Sequence, residues 1–245
     1  MEPTSRGRNA LPTVSPLGDS AVLLTLAECL DLDANALAGR VARDIRGRDL
    51  PWVSDIVPAL VTVAVHFEAR TARTAAERRA MLERLLVESL AREAGAGPAP
   101  APRTVEIPVC YESPYAEDLL EVAAHTGLTP PEVVRMHSAS PHRVLMIGFA
   151  PGQPYLGGLD ARLAMPRRSS PRHRVEAGSV AIANAQTSIY PFATPGGWNV
   201  IGRTPLVLFD PVRKPASLLE PGDAVAFVPI STGDFGRIAS GQHAR

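Results

Sequence analysis

The chain has 245 residues, 45% of them hydrophobic and 20% charged, the size and balance of an ordinary globular protein with one large domain or two modest ones. Its 25 basic and 25 acidic side chains cancel, so no net field draws it to nucleic acid or to an anionic membrane. Cys29 and Cys110 lie far apart in no metal-ligand spacing and read as reduced, buried thiols. No uncharged apolar run approaches the roughly 18 residues of a spanning helix.

The opening MEPTSRGRNALP has basic residues without an apolar stretch behind them, unlike a signal peptide. The expectation is a soluble cytoplasmic protein whose residues 1–11 form a disordered tail. A strand is expected near Thr13–Ser15, and another over Ala21–Leu26 after a Gly18-Asp19 turn. Leu37, Val41 and Ile45 recur every four positions, predicting a helix over Asp33–Arg46. Val53–Val57 and Leu60–Phe67 read as strands. In the second, Val61, Val63, Val65 and Phe67 alternate with more polar residues, as on a strand with one buried face. Thr74-Ala-Ala-Glu77 is a capping box, opening a helix that turns Leu82, Leu85, Leu86 and Leu90 inward. The order describes a small α+β layer of ferredoxin-like type over residues 12–94.

Residues 95–102, GAGPAPAP, have nothing to bury and read as the linker. Beyond it, Val105, Ile107 and Val109 alternate as a first strand of the second domain, residues 103–232. Ser113-Pro114 opens a helix running to about His125 and stopping at Gly127. Thr129-Pro130-Pro131-Glu132 opens another through Met136. Strands are expected at 143–149, 178–183, 206–210 and 224–229. The second domain therefore reads as a β-barrel carrying short helices, with a tail at 233–245.

Several familiar devices are missing from the sequence. There is no G-x-x-x-x-G-K-[ST] loop for a nucleotide, no G-x-S-x-G elbow, no H-E-x-x-H and no paired C-x-x-C. No metal or covalent cofactor is evident. Lys214 is the only lysine and has no biotin-attachment setting.

The chemistry concentrates between Arg143 and Pro211, where glycines and prolines punctuate short apolar runs, the pattern of a loop-built pocket on β-structure. Arg203, beside Gly202, offers a planar fork suited to a carboxylate. Gln186, Thr187 and Tyr190 supply an amide and two hydroxyls able to orient an amide ligand. Arg172 is the member of the run Arg167, Arg168, Arg172 and Arg174 chosen to face inward. His137 is the candidate proton carrier. Tyr155, Trp198 and Thr204 complete the substrate-binding set, and His137, Gln186 and Arg203 form the catalytic one.

The wording of this stretch is GFAPG at 148–152, YLGGL at 155–159, PRR at 166–168, AGSVAIA at 177–183, QT at 186–187, PGGW at 195–198 and IGRTP at 201–205. In that order these motifs resemble the family of 5-oxoprolinase B subunits, also labelled allophanate hydrolase subunit 1, which includes KipI-type kinase inhibitors. The same module forms part of the carboxyltransferase domain of urea carboxylase. The resemblance implies a cyclophilin-like barrel and one subunit of an ATP-dependent enzyme that opens 5-oxo-L-proline to glutamate, with ATP as co-substrate. It implies as partners a homologous C subunit (KipA-like) and an A subunit. Its alternatives are an inhibitor that binds a sensor histidine kinase, and a carboxyltransferase half acting on a urea-like amide with biotin carried by another chain. The sequence departs from the family wording at His142, Gln153, Glu176, Asn184 and Ser188, which bears on substrate identity more than on fold.

Overall fold

A computed structural model describes residues 12–68, 75–94 and 101–242. The tail at 1–11, the Thr74 cap and residues 95–100 of the linker lie outside the described residues. The chain divides into two compact units, 1–100 and 101–245.

In the first unit, strands β1 (Thr13–Pro16) and β2 (Ala21–Thr25) precede helix α1 (Leu32–Gly47). Strands β3 (Val53–Pro58) and β4 (Thr62–Phe67) then lead to helix α2 (Ala75–Ala94). The antiparallel sheet has the order β1-β2-β4-β3, so the connection from β2 through α1 to β3 leaves a gap that β4 fills. The alternation expected for β4 is present: Val63, Val65 and Phe67 are buried together with Val22 and Leu24 of β2. Ala38, Val41, Ala42 and Ile45 of α1 and Leu82 and Leu86 of α2 close the core over that face. Each such Val or Leu contributes about 1.5–3 kcal/mol by leaving water. Asp31 starts α1 by accepting the Ala34 N–H at 2.7 Å. Asp44 joins the two helices by accepting from Arg48 at 3.1 Å, from Arg92 at 2.7 Å and from Ser89.

The second unit is a closed seven-stranded barrel. It comprises β5 (Thr104–Cys110), helices α3 (Leu119–Thr126) and α4 (Pro130–Ala139), β6 (His142–Ile147), β7 (Pro154–Gly157), β8 (Arg172–Val175) and β9 (Ser179–Ala183). There follow β10 (Gln186–Ile189), β11 (Thr194–Gly196), β12 (Asn199–Arg203), β13 (Ala224–Ile230) and helix α5 (Thr232–Gln242). Around the barrel the order is β10-β7-β6-β13-β5-β12-β9, and β8 with β11 forms a separate two-stranded ribbon. Among the described residues only the β13–β5 pair is parallel. Alternate residues point inward. Ile107, Val109, Val144, Leu156, Val180, Ile182, Ile189, Ile201, Val225 and Phe227 share one core with Val122, Val133 and Met136 of the helices. Both units together make the chain α+β.

Three expectations about elements are corrected. Residues 206–210 are not a strand; that stretch is a loop touching Ser217 through a single bridge at Phe209. Arg213 holds the loop in place, its guanidinium donating to the carbonyls of Val207, Leu208 and Ala216 at 3.1, 3.0 and 2.9 Å. The helix after Ser113-Pro114 begins only at Leu119, because residues 113–118 turn first and the Asp118 side chain is used elsewhere. Most of the supposed tail at 233–245 is α5. It starts with Ser231 accepting the Asp234 N–H at 3.1 Å, and Phe235 stacks on Tyr115 at 4.2 Å.

Candidate functional site

His137 lies in the last turn of α4 with no solvent exposure. Its Nδ1 meets the Tyr111 hydroxyl at 2.8 Å and its Nε2 meets the Thr187 hydroxyl at 3.2 Å. A neutral imidazole has one N–H, so one hydroxyl donates to the ring and the other accepts from it. The ring also packs on Phe227 at 4.6 Å and on His142 at 4.7 Å. His142 donates Nε2–H to the main-chain carbonyl of His137 at 2.9 Å, since a carbonyl can only accept. That leaves His142 Nδ1 bare and without a partner among the described residues. Burial, then the His142 charge, holds the His137 pKa well below the ordinary histidine value. Burial likewise lowers that of His142 to about 4. Both rings are neutral at pH 7. His137 and Thr187 are therefore in contact, but inside the barrel and away from solvent, where a proton shuttle has no outlet.

Three other expected residues are occupied by structural work. Arg172 sends two nitrogens to the Asp118 carboxylate at 2.8 and 2.6 Å and its Nε to Glu117 at 3.2 Å. Arg203 donates Nε–H to the carbonyl of Ala177 at 2.7 Å and its nearest carboxylate oxygen, on Glu176, is 4.0 Å away. Thr204 is buried, and its hydroxyl accepts the Leu206 N–H at 3.2 Å. The turn that Arg203 grips contains Gly178, with φ +81°, where an added Cβ would lie 2.2 Å from the Thr204 carbonyl oxygen. Only glycine fits there.

Of the remaining expected residues, Tyr155, Tyr190 and Trp198 cluster on the outer face of the barrel, where β7, β10, β9 and β12 run side by side, and Gln186 lies on the same face of β10. Cross-strand pairing sets this face: Tyr155 opposes Ser188, Ser188 opposes Ala181, Gln186 opposes Ala183 and Val200 opposes Ala181. Residues two apart on a strand share a face, so Gln186 and Ser188 point outward while Thr187 and Ile189 point inward. Above the small alanines sits an apolar cluster of Val175, Tyr190, Trp198 and Val200, with Tyr155 against it. The Tyr155 and Trp198 rings meet edge to face at 5.8 Å. Tyr190 is locked, its hydroxyl accepting the Trp198 main-chain N–H and lying 2.3 Å from where a Cβ on Gly196 would be. Burial raises the Tyr155 hydroxyl, offset in part by the Arg167 charge, so it stays protonated and able to donate at neutral pH.

Reading the sequence missed three residues here. Gln153, buried at the end of the 148–152 loop, donates Nε2–H to the Ser188 hydroxyl at 3.3 Å. Its Oε1 has no partner among the described residues. The contact joins two positions where the chain departs from the family wording. Asp118 is the second. It is buried, and besides Arg172 it accepts from Arg168 at 2.8 Å and from the Val200 N–H at 2.7 Å, tying α3 to β8 and β12. No local pattern marks an aspartate for that role. The third is Arg167, whose guanidinium lies 5.9 Å from the centre of the Trp198 ring. The loop preceding Gln153 also presents Phe149, 75% exposed with φ +69°. A separate hollow of about 390 Å³ between Thr104, Ser140, His142, Arg143 and Ala224 takes in none of the expected site residues. Among the described residues no cluster of three or more His, Cys, Asp or Glu is placed to hold a metal ion. No helix there is long and apolar enough to cross a membrane.

Over residues 12–219, which take in most of both units, the chain matches the carboxyltransferase domain, subdomain C and D. Within that class the chain belongs to the family of 5-oxoprolinase B subunits. It is 39% identical over 232 residues to the 5-oxoprolinase B subunit of Bacillus subtilis (strain 168), covering 91% of this chain and 94% of the relative. To the protein of the same name from Escherichia coli O157:H7 it is 43% identical over 219 residues, covering 89% and 95%. Among solved structures, TTHA0988 superposes with a TM-score of 0.74 at 36% identity over 86% of this chain, which spans 40% of that longer one.

Proposed function

We propose that this chain is the B subunit of an ATP-dependent 5-oxoprolinase, which opens the lactam of 5-oxo-L-proline to L-glutamate with ATP hydrolysis. The observation that carries the reading is the near full-length match to relatives of that name, joined to an outer face whose residue types suit a small cyclic amide. The ring methylenes of the lactam lie against Trp198 and Tyr155. The Tyr155 hydroxyl donates toward the lactam oxygen, and Gln186 supplies an acceptor for the lactam N–H together with a second donor. An unstrained lactam is a poor electrophile. Phosphorylation of its oxygen by ATP gives water an easier target, and donors aimed at that oxygen stabilise the charge that develops.

His137 acts in this reading through the fold. It fixes Thr187 of β10 and so the outward pose of Gln186 next to it. Arg203 acts through the 176–178 turn. The nucleotide site belongs to companion chains, the homologous C subunit together with an A subunit, since no phosphate-binding loop is written in this sequence. The gap between β2 and β3 filled by β4, with β1 as outer strand, supports a ferredoxin-like layer whose last strand has moved to the front. The closed barrel supports the cyclophilin-like reading, and the domain boundary falls in 95–102.

Co-expression with the companion subunits tests the function. The assembled complex hydrolyses ATP in a 5-oxoproline-dependent manner and this chain alone does not. Turnover by the isolated chain, or no lactam-dependent hydrolysis by the complex, contradicts it.

A further inference from the structure

The substrate proposed above carries a carboxylate, and something must recognise it. Resting on that reading, we propose that Arg167 is the residue that holds the substrate carboxylate, with Trp198 as its platform.

Existing partners decide among the candidates. Five arginines lie between positions 167 and 203, and four are already engaged. Arg168 and Arg172 converge on Asp118, a carboxylate whose side chain is 3% exposed. A substrate anion could recruit them only by leaving Asp118 uncompensated in the interior, a loss the fold resists. Arg174 pairs with Glu176 at 2.6 Å. Arg203 donates to the Ala177 carbonyl at 2.7 Å. Arg167 alone among the five has no ion pair or hydrogen bond to a side chain or carbonyl within the described residues. Its guanidinium rests over the Trp198 ring. That leaves its N–H edges free for a planar, two-toothed grip on a carboxylate.

Its main chain, by contrast, is fixed on both sides. The Pro166 carbonyl accepts from Asn199 Nδ2 at 2.9 Å, and the Arg168 N–H donates to the Gly197 carbonyl at 2.8 Å. The side chain is thus presented from a pinned backbone, so ordering it on a ligand costs little entropy beyond its own rotamers. Its charge also reaches the hydroxyls of Tyr155 and Tyr190, which places the cation beside the same aromatic floor. A cyclic amide lying on that floor brings its carboxylate toward Arg167 while its ring amide meets Tyr155 and Gln186.

The test uses the assembled complex with Arg167→Gln and Arg167→Lys, each checked for an unchanged melting temperature. Two ligands are compared: 5-oxoproline as substrate, and 2-pyrrolidinone, the same lactam without a carboxylate, as competitive inhibitor. Loss of a charge-assisted pair raises KM for 5-oxoproline about tenfold or more in R167Q, with kcat within about twofold. R167K recovers part of the loss, and the inhibition constant of 2-pyrrolidinone does not move. A KM unchanged in R167Q, or an equal weakening of both ligands, overturns the assignment while leaving the oxoprolinase reading intact. A wild-type complex without 5-oxoproline turnover removes that reading, and this inference with it.

Discussion

Arg172 grips the buried carboxylate of Asp118 with two nitrogens at 2.8 and 2.6 Å, so a residue expected to bind substrate instead fastens the β8–β11 ribbon to helix α3. The same carboxylate receives Arg168 and the Val200 N–H. Replacing Asp118 by Ala leaves two guanidinium groups without their buried partner and costs about 3–5 kcal/mol of stability. Urea unfolding of the D118A chain measures it. A loss below about 1 kcal/mol, the range of surface ion pairs, shows that the network is not the fastening described.

The paired histidines make the barrel acid-sensitive. The His142 pKa is lowered in the folded state from 6.5 to about 4 and that of His137 is lowered as well. Between those values the unfolded chain binds more protons than the folded one. Their contribution is therefore fully present above about pH 6.5 and is lost as pH falls through the folded-state values. For His142 alone the difference amounts to about 3 kcal/mol. Other facing groups matter little to the sign, because Tyr111 is held protonated by burial and Thr187 does not titrate. Unfolding free energy measured from pH 7 to pH 4 falls steeply; a flat profile contradicts neutral, buried rings.

Gly178 and Gly222 form an internal control. Both have positive φ, +81° and +98°, but an added Cβ at Gly178 collides with the Thr204 carbonyl, whereas at Gly222 nothing lies within 4 Å. Gly222→Ala costs about 1–3 kcal/mol of backbone strain. Gly178→Ala costs that and the displacement of a main-chain oxygen, so its melting temperature falls further. Equal shifts in the two variants refute the tight turn beneath Arg203.

Arg203→Lys separates structure from chemistry. It removes the Nε–H donated to Ala177 and lowers stability by about 0.5–1.5 kcal/mol, as for an ordinary hydrogen bond. KM for 5-oxoproline in the assembled complex stays within about twofold of the wild type. A tenfold rise in KM with unchanged stability returns Arg203 to the substrate.

How much the sequence revealed depended on burial being one-sided. β4 and β5 alternate legibly because one face of each meets solvent or a partly open layer. β9 is buried at all five positions and four of five in β12, since the ribbon and the aromatic cluster cover the outer face. Period-two patterning vanishes in such strands, and neither β10 nor β12 stands out in the sequence. α5 is hidden by Gly233, Gly236 and Gly241, which argue against a helix locally and are overridden by Phe235 packing on Tyr115. The aromatic and amide members of the site are legible as residue types beside turns. The arginines are not, because which of them keeps a free fork depends on Asp118, some fifty residues distant.

The most direct measurement is 5-oxoproline-dependent ATP hydrolysis by the complex assembled with a Gln186→Ala, Tyr155→Phe double variant. On the proposed reading the lactam is held on the outer face of the barrel, so the rate at low substrate falls by about tenfold or more while the complex still assembles. An assembled complex whose rate matches the wild type contradicts this placement and moves the lactam to another surface.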